Sequence, residues 1–185
     1  MNIETKVRTS GTPSRLVWID LEMTGLNTDI HRIVEVAIII TDFDLKEYAR
    51  YGAVVHQPEA VLAASNEFSA DMHTKNGLYE RVRASKVSEE QAQREIVALL
   101  GEHMPEGEGV CLAGNSIRAD RLFIDSQWPL LSDMLHYRML DVSSFKLWWL
   151  GTGREPFVKG ESHRALDDIV ESIAELTYYL AELKQ

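Results

Sequence analysis

Apolar residues along the chain fall into two rhythms. Leu16 to Leu21, Ile33 to Ile40 and Tyr48 to His56 are short, β-prone runs separated by tight polar connections, and they read as three strands of an antiparallel meander. Ser88-x-x-Gln91 has the form of a capping box and opens a helix through about His103. Val110 to Ala113 reads as a strand, Arg121 to Leu135 as a helix broken around Pro129, and Met139 to Val142 as a further short strand. Ser143 to Leu150 is helical in pattern. The last helix runs from about Arg164 to Leu183, with Leu166, Ile169, Ile173, Leu176 and Leu180 as its apolar stripe. Three strands followed by alternating helices and strands predict an α/β fold, a mixed central sheet flanked by helices. Residues 1–14 are polar, with Gly11 and Pro13, and read as a flexible N-terminal arm before a single domain over 15–185.

The first strand carries the chemistry. Trp18-Ile19-Asp20-Leu21-Glu22-Met23-Thr24-Gly25-Leu26 ends an apolar run with two acids at i and i+2, a spacing that turns both to one face of a strand. Two such acids repel each other and resist burial, and a divalent cation between them relieves both penalties. Asp-x-Glu alone is a common pattern, and a solvated strand end explains it equally well. Two later segments answer it. Gly114-Asn115-Ser116-Ile117-Arg118-Ala119-Asp120 follows a strand and ends in an acid. Ser162-His163-Arg164-Ala165-Leu166-Asp167-Asp168 opens the last helix. Four carboxylates and a histidine suit hard ions such as Mg²⁺ or Mn²⁺ rather than zinc.

Together, Asp20-x-Glu22, Asp120 and His163-x-Ala165-x-x-Asp168 resemble the motif set of the DEDDh 3′→5′ exonucleases. The wording Asp-Leu-Glu-Met-Thr-Gly-Leu, Gly-Asn-Ser-Ile, His136-Tyr137-Arg138-x-Leu-Asp-Val-Ser and His-Arg-Ala-Leu-Asp-Asp is similar to the oligoribonucleases within that superfamily, in order and register from about Leu16 to the end. The resemblance implies the ribonuclease H-like exonuclease fold and removal of nucleoside 5′-monophosphates from the 3′ end of very short RNA. It implies two Mg²⁺ or Mn²⁺ ions on Asp20, Glu22, Asp120 and Asp168, with His163 as the general base. On an ideal helix His163 shares a face with Asp167 and sits ~140° from Asp168, so spacing leaves the last ligand open. The family pattern selects Asp168.

By the same resemblance Tyr137 reaches the active site of a partner subunit in a homodimer, together with Arg138. A structural tyrosine at a strand end is the alternative. Ser116, Arg138 and Ser143 would meet the 5′-terminal phosphate, a role to which arginine's fork of donors is suited. Leu26 corresponds to an apolar wedge against the bases, or else to a core leucine. His73 lies in a stretch resembling the family's segment near the substrate's 3′ end. Phe68 stands where the family has a base-stacking tryptophan, and Arg118-Ala119 replaces a Gly-Gln pair before the third acid. Trp148-Trp149 makes the helix after Ser143 unusually aromatic, which suggests core or subunit interface.

Composition narrows the setting. Hydrophobic residues at 45% and charged ones at 26% indicate a folded chain rather than a disordered one. A formal charge of −10 forgoes the broad phosphate attraction that long-strand binders use, and leans towards short substrates held by metal and a few donors. The single cysteine, Cys111, cannot form an internal disulfide, and the polar N-terminus does not read as a signal peptide. A cytoplasmic protein without a membrane span is expected. Two other classes stand beside the first: a related exonuclease of different diet, such as a DNA-proofreading or structured-RNA-trimming enzyme, and a non-catalytic binding module. Tyr137-Arg138 and the acidic balance argue against the former, the complete acid set against the latter.

Overall fold

The structure, a computed structural model, describes residues 12–158, 160 and 164–183. Five strands form one sheet: β1 (Leu16–Met23), β2 (Ile33–Thr41), β3 (Glu47–Val54), β4 (Val110–Gly114) and β5 (Leu135–Asp141), in the spatial order β3-β2-β1-β4-β5. The first three pair antiparallel and the last two join β1 in parallel, so the sheet is mixed. Helices α1 (Glu59–Ala63), α2 (Glu67–Lys75), α3 (Leu78–Ala84) and α4 (Glu89–His103) lie between β3 and β4. Helices α5 (Arg118–Gln127) and α6 (Pro129–Ser132) link β4 to β5, and α7 (Val142–Gly151) and α8 (Ala165–Leu183) complete the chain. At its near end, Ser14 is tied by its N–H and hydroxyl to Glu108.

Strand alternation sorts the core into two layers. Val17, Ile19 and Leu21 of β1 pack with Ala92, Ile96 and Leu100 of α4 and with Phe123, Ile124, Trp128 and Leu131 of α5–α6. Leu16 and Trp18 face the other way, with Ala37, Ile39, Trp149 of α7 and Ile169, Leu176 and Tyr179 of α8. Every residue of β2 is buried, which accounts for a run that is apolar apart from Glu35 and Thr41: it is covered on both faces. Asp20 and Glu22 continue the even series of β1 and therefore turn towards α8.

Several expectations are met residue by residue. Ser88 caps α4, its hydroxyl accepting the Gln91 N–H at 3.1 Å. The break at Pro129 separates α5 from α6. Other expectations are corrected. Residues 59–84 hold three short helices that the apolar pattern does not reveal, because their buried residues are few: Leu62, Leu78, Tyr79 and Val82 gather around Val34. β5 begins at Leu135 rather than Met139, since parallel pairing sets Leu135 beside Val110. In α8 the fully buried line is Ala165, Ile169, Ser172, Glu175, Leu176 and Tyr179, while Leu166, Ile173 and Leu180 are only partly covered. The two tryptophans also divide: Trp149 is 2% exposed against Tyr178 and Tyr179, and Trp148 is 52% exposed.

Trp18 is the largest fully buried side chain of β1, and its Nε1–H donates to Thr41 Oγ1 at 2.9 Å. Thr41→Val keeps the shape and strands that donor, a loss of about 1–3 kcal/mol. Thermal unfolding of the variant should show a midpoint lower by several degrees, and an unchanged midpoint would remove this bond from the account.

Candidate active site

β1 delivers Asp20 and Glu22 to one end of the sheet, and three other elements bring groups to meet them. Asp168 lies in the first turn of α8, where the helix N-terminus favours negative charge. One carboxylate oxygen from each of Asp20, Glu22 and Asp168 lies within 4.8 Å of the others. Asp167, the acid that helical spacing paired with His163, is exposed. Asp120 enters from the first turn of α5, 6% exposed, and its Oδ1 accepts the Leu21 N–H at 2.9 Å. The strand residue between Asp20 and Glu22 thus holds the third acid by its own backbone.

Burial and crowding shift these acids upward together. Asp20 is held well above the usual carboxylate range, first by desolvation and then by Asp120, Glu22, Asp168 and Glu35. Glu22 is pushed up to about 8 by desolvation, then by Asp168, Glu35 and Asp120, with Arg164 pulling it partly back. Burial also raises Asp120, to about 7, against the opposing hydrogen bond from Leu21. An all-oxygen donor set this close, and this costly to leave charged, fits a hard divalent cation.

Glu35 and Arg164 also belong to this site: Arg164 stands within the His-Arg-Ala-Leu-Asp-Asp segment, and no motif marks Glu35. Glu35 stands directly opposite Glu22 in the β1–β2 register, a placement where like charges repel. Arg164 closes on Glu35 with two bonds, Nη2 to Oε1 at 2.8 Å and Nε to Oε2 at 3.3 Å, and Arg81 Nη1 approaches Oε1 at 3.8 Å. The Arg164 carbonyl also accepts the Asp168 N–H at 2.9 Å. The start of α8 is therefore pinned to the sheet at the level of Glu22. The signal in the sequence was a lone charge inside the apolar run Ile33-Val34-Glu35-Val36.

The other candidate residues divide by position. His163 lies outside the described residues. His73 is fully buried on α2. Its Nε2 lies 3.0 Å from the Met23 carbonyl, so that nitrogen carries the proton, and 3.7 Å from Glu22 Oε2. Leu26 is 75% exposed, which removes the core alternative, and Phe68 is 76% exposed at the start of α2. The loop presenting Leu26 is held at both sides. Thr24 exchanges hydrogen bonds with Arg32, and the His31 ring occupies the space a Cβ on Gly25 would need. Ser116 and Ser143 sit together at the ends of β4 and β5, where the Ser116 N–H donates to Ser143 Oγ at 2.9 Å and to Asp141 Oδ1 at 3.0 Å.

Tyr137 is not brought to the acids of its own chain. Val17 is level with Leu112, and Leu112 with Met139, and Tyr137 precedes Met139 inside the register shift between Leu135 and Met139. Asp20 lies more than three positions further along, counted from the Val17 level of Met139, and two strands across, at least roughly 10 Å by roughly 10 Å. Tyr137 is 63% exposed on the edge strand, stacked on His136, with the Arg138 guanidinium 5.0 Å from its ring centre.

A mixed sheet flanked by helices, with carboxylates gathered at the end of its first strand, defines an exonuclease of the ribonuclease H-like class. The family model described as Exonuclease (RNase_T) matches residues 17–176. Oligoribonuclease from Corynebacterium diphtheriae is 50% identical over 172 residues, covering 89% of this chain and 81% of that protein. Oligoribonuclease from Francisella tularensis subsp. holarctica is 46% identical over 172 residues, covering 91% and 95%. E. coli exonuclease I in complex with a dT13 oligonucleotide superposes with a TM-score of 0.66 at 14% identity. That match covers 91% of this chain but 41% of the other, and it speaks to the fold. The chain belongs to the oligoribonuclease family of exonucleases and is a nuclease that hydrolyses phosphodiester bonds.

The acid cluster makes stability depend on pH in a direction opposite to most proteins. Carboxyls raised in the folded state take up protons that the unfolded chain releases, so their contribution is full below about pH 4 and is lost as pH rises through about 7 to 8. Thermal melts in chelator should therefore show a falling midpoint from pH 5 to pH 8. Excess Mg²⁺ or Mn²⁺ should flatten or reverse that fall, and Glu22→Gln should shrink it. A midpoint that rises with pH in chelator would contradict the electrostatics described above.

Proposed function

We propose that this chain, a 3′→5′ exoribonuclease, hydrolyses oligoribonucleotides a few residues long, down to dinucleotides, and releases nucleoside 5′-monophosphates. The observation that carries this reading is the convergence of Asp20, Glu22 and Asp168, with Asp120 beside them, in a chain about half identical to named oligoribonucleases. The four acids would hold two Mg²⁺ or Mn²⁺ ions, which when bound neutralise the scissile phosphate and the charge developing on the attacking and leaving oxygens. His163, with an unperturbed imidazole pKa near roughly 6.5, takes the proton of the attacking water. His73 steadies Glu22 from the side of α2 and borders the 3′ end of the substrate. Leu26 and Phe68, both exposed beside this end of the sheet, offer apolar and aromatic faces to the bases.

Preference for short chains rests on what surrounds the acids. Ser116 and Ser143 receive the 5′-terminal phosphate of a substrate whose 3′ phosphodiester lies at the acids, and Arg138 completes that contact. Tyr137 stands far along β5 from its own acids, on an exposed sheet edge, which supports a homodimer in which Tyr137 and Arg138 serve the partner's site. The charge of −10 leaves little general attraction for long RNA. No helix among the described residues is long and apolar enough to cross a membrane. We place the reaction in the cytoplasm, where a lone thiol such as Cys111 stays reduced.

A length series tests the substrate. With Mg²⁺ and 5′-labelled RNA from the dinucleotide upward, turnover should be fastest on the shortest chains and fall steeply with length. Equal or faster trimming of long RNA or of DNA would assign a general exonuclease instead. The shared site has its own test. Tyr137→Ala and Asp168→Ala should each be inactive alone, and mixing them with subunit exchange should restore up to about a quarter of wild-type turnover, the share of intact sites in randomly paired two-fold dimers. A mixture as inactive as its components would place Tyr137 outside the partner's site.

A further inference from the structure

The buried face of α8 contains two polar residues that the metal chemistry does not use, Ser172 and the fully buried Glu175. Both meet Asn115, the residue after β4. Its Nδ2 donates to Ser172 Oγ at 2.8 Å and to Glu175 Oε2 at 3.0 Å. A carboxylate only accepts, which fixes the amide's orientation and leaves Asn115 Oδ1 to receive Ser143 Oγ at 3.1 Å. The other Glu175 oxygen takes the hydroxyl of Tyr179, itself buried, at 2.9 Å. Ser172 Oγ passes its own proton to the Asp168 carbonyl at 2.7 Å. One hydrogen-bonded path therefore runs from Asp168, through Ser172 and Asn115, to Ser143.

Beyond Ser143 the path ends in strain. Ser116 holds φ at +51°, a left-handed conformation uncommon for a residue with a Cβ, and its N–H is clamped by Ser143 Oγ and Asp141 Oδ1. Burying an acid and an amide in an apolar helix interface is a poor way to stabilise a fold, because packed aliphatic side chains would serve better. What such a network supplies is a single fixed geometry between the elements it joins. Here the elements are the helix that carries Asp168 and the turn that carries Ser116.

We propose that Asn115, Ser172 and Glu175 are positioning residues forming a length gauge: they fix the distance between the serines that receive the 5′-phosphate and the acid at the reacting phosphodiester. The inference rests on the functional reading above and names the residues that set its substrate length. None of the three touches substrate. Loosening the gauge lets the 5′ end drift relative to the acids, which matters for a dinucleotide gripped at both ends. It leaves untouched a substrate held at the reacting end alone.

Asn115→Ala, Ser172→Ala and the isosteric Glu175→Gln would be compared with the wild type on three substrates: a 5′-phosphorylated diribonucleotide, a heptaribonucleotide, and the p-nitrophenyl ester of thymidine 5′-monophosphate. The ester reports the reacting centre without a 5′ nucleotide. The expected result is a KM for the diribonucleotide raised about tenfold, the size of one or two loosened hydrogen bonds. The preference over the heptamer should shrink in proportion, with kcat on the ester within about twofold of wild type. Circular dichroism and melting would confirm folding, and Ser172→Ala and Glu175→Gln carry the test should Asn115→Ala not fold. Folded variants that keep the wild-type KM and length preference would overturn the gauge, as would an equal loss on all three substrates. A wild type indifferent to length would overturn the functional reading itself.

Discussion

Mutual repulsion among buried carboxylates is the constraint around which this end of the molecule is arranged. Asp20, Glu22, Asp120 and Asp168 come from three distant stretches of chain, and Glu35 stands across the sheet from Glu22. Left to electrostatics they would separate or take up protons, as the upward shifts of Asp20, Glu22 and Asp120 record. The fold holds them against that tendency by rigid means. Asp120 is tied to the backbone of β1, and Asp168 stands in the first turn of a helix anchored by Arg164. A site pre-built at such cost suits a divalent ion, which would remove a penalty already present.

Arg164 and Glu35 show how that stress is distributed. Glu35 adds negative charge to the cluster, yet it also supplies the two oxygens that seize Arg164. The guanidinium then offsets part of the charge on Glu22 and fixes where α8 begins. The ion pair is less a source of stability than of placement, the role best attested for buried charge pairs. The polar brace from Asn115 to Glu175 does the same further along α8. Two polar attachments, one on each side of Asp168 in sequence, leave the helix little freedom to slide across an otherwise apolar interface with β1 and β2.

Outside the acids, Leu26, Phe68 and Tyr137 stand exposed on firmly held supports. Leu26 projects from a loop pinned by Thr24, Arg32 and His31, and Phe68 from the first turn of a helix capped by Asn66. Tyr137 lies on the free edge of the sheet, 63% exposed, with the partly exposed Met139 two residues along the same strand. The division is physical. Chemistry needs dry, rigid groups, whereas recognition needs accessible surface.

Sequence by itself determined the α/β order, the strands Leu16 to Leu21, Ile33 to Ile40 and Tyr48 to His56, the cap and break at Ser88 and Pro129, and the acids that motifs mark. These follow from local rules of periodicity, capping and spacing, which a linear chain displays. Only the tertiary structure decided which groups meet. Helices α1 to α3 escaped notice because their stability comes from a few contacts around Val34 rather than from their own periodicity. Asp168 rather than Asp167 turned inward through the pinning of Arg164, which ideal helical spacing from residue 163 cannot express. Glu35, Ser172 and Glu175 carried only a faint mark, polar residues inside apolar stretches, and Asn115 was marked by its motif without its partners. Their partners lie far away in sequence, and long-range pairing is information that exists only once the sheet has closed and α8 has docked upon it.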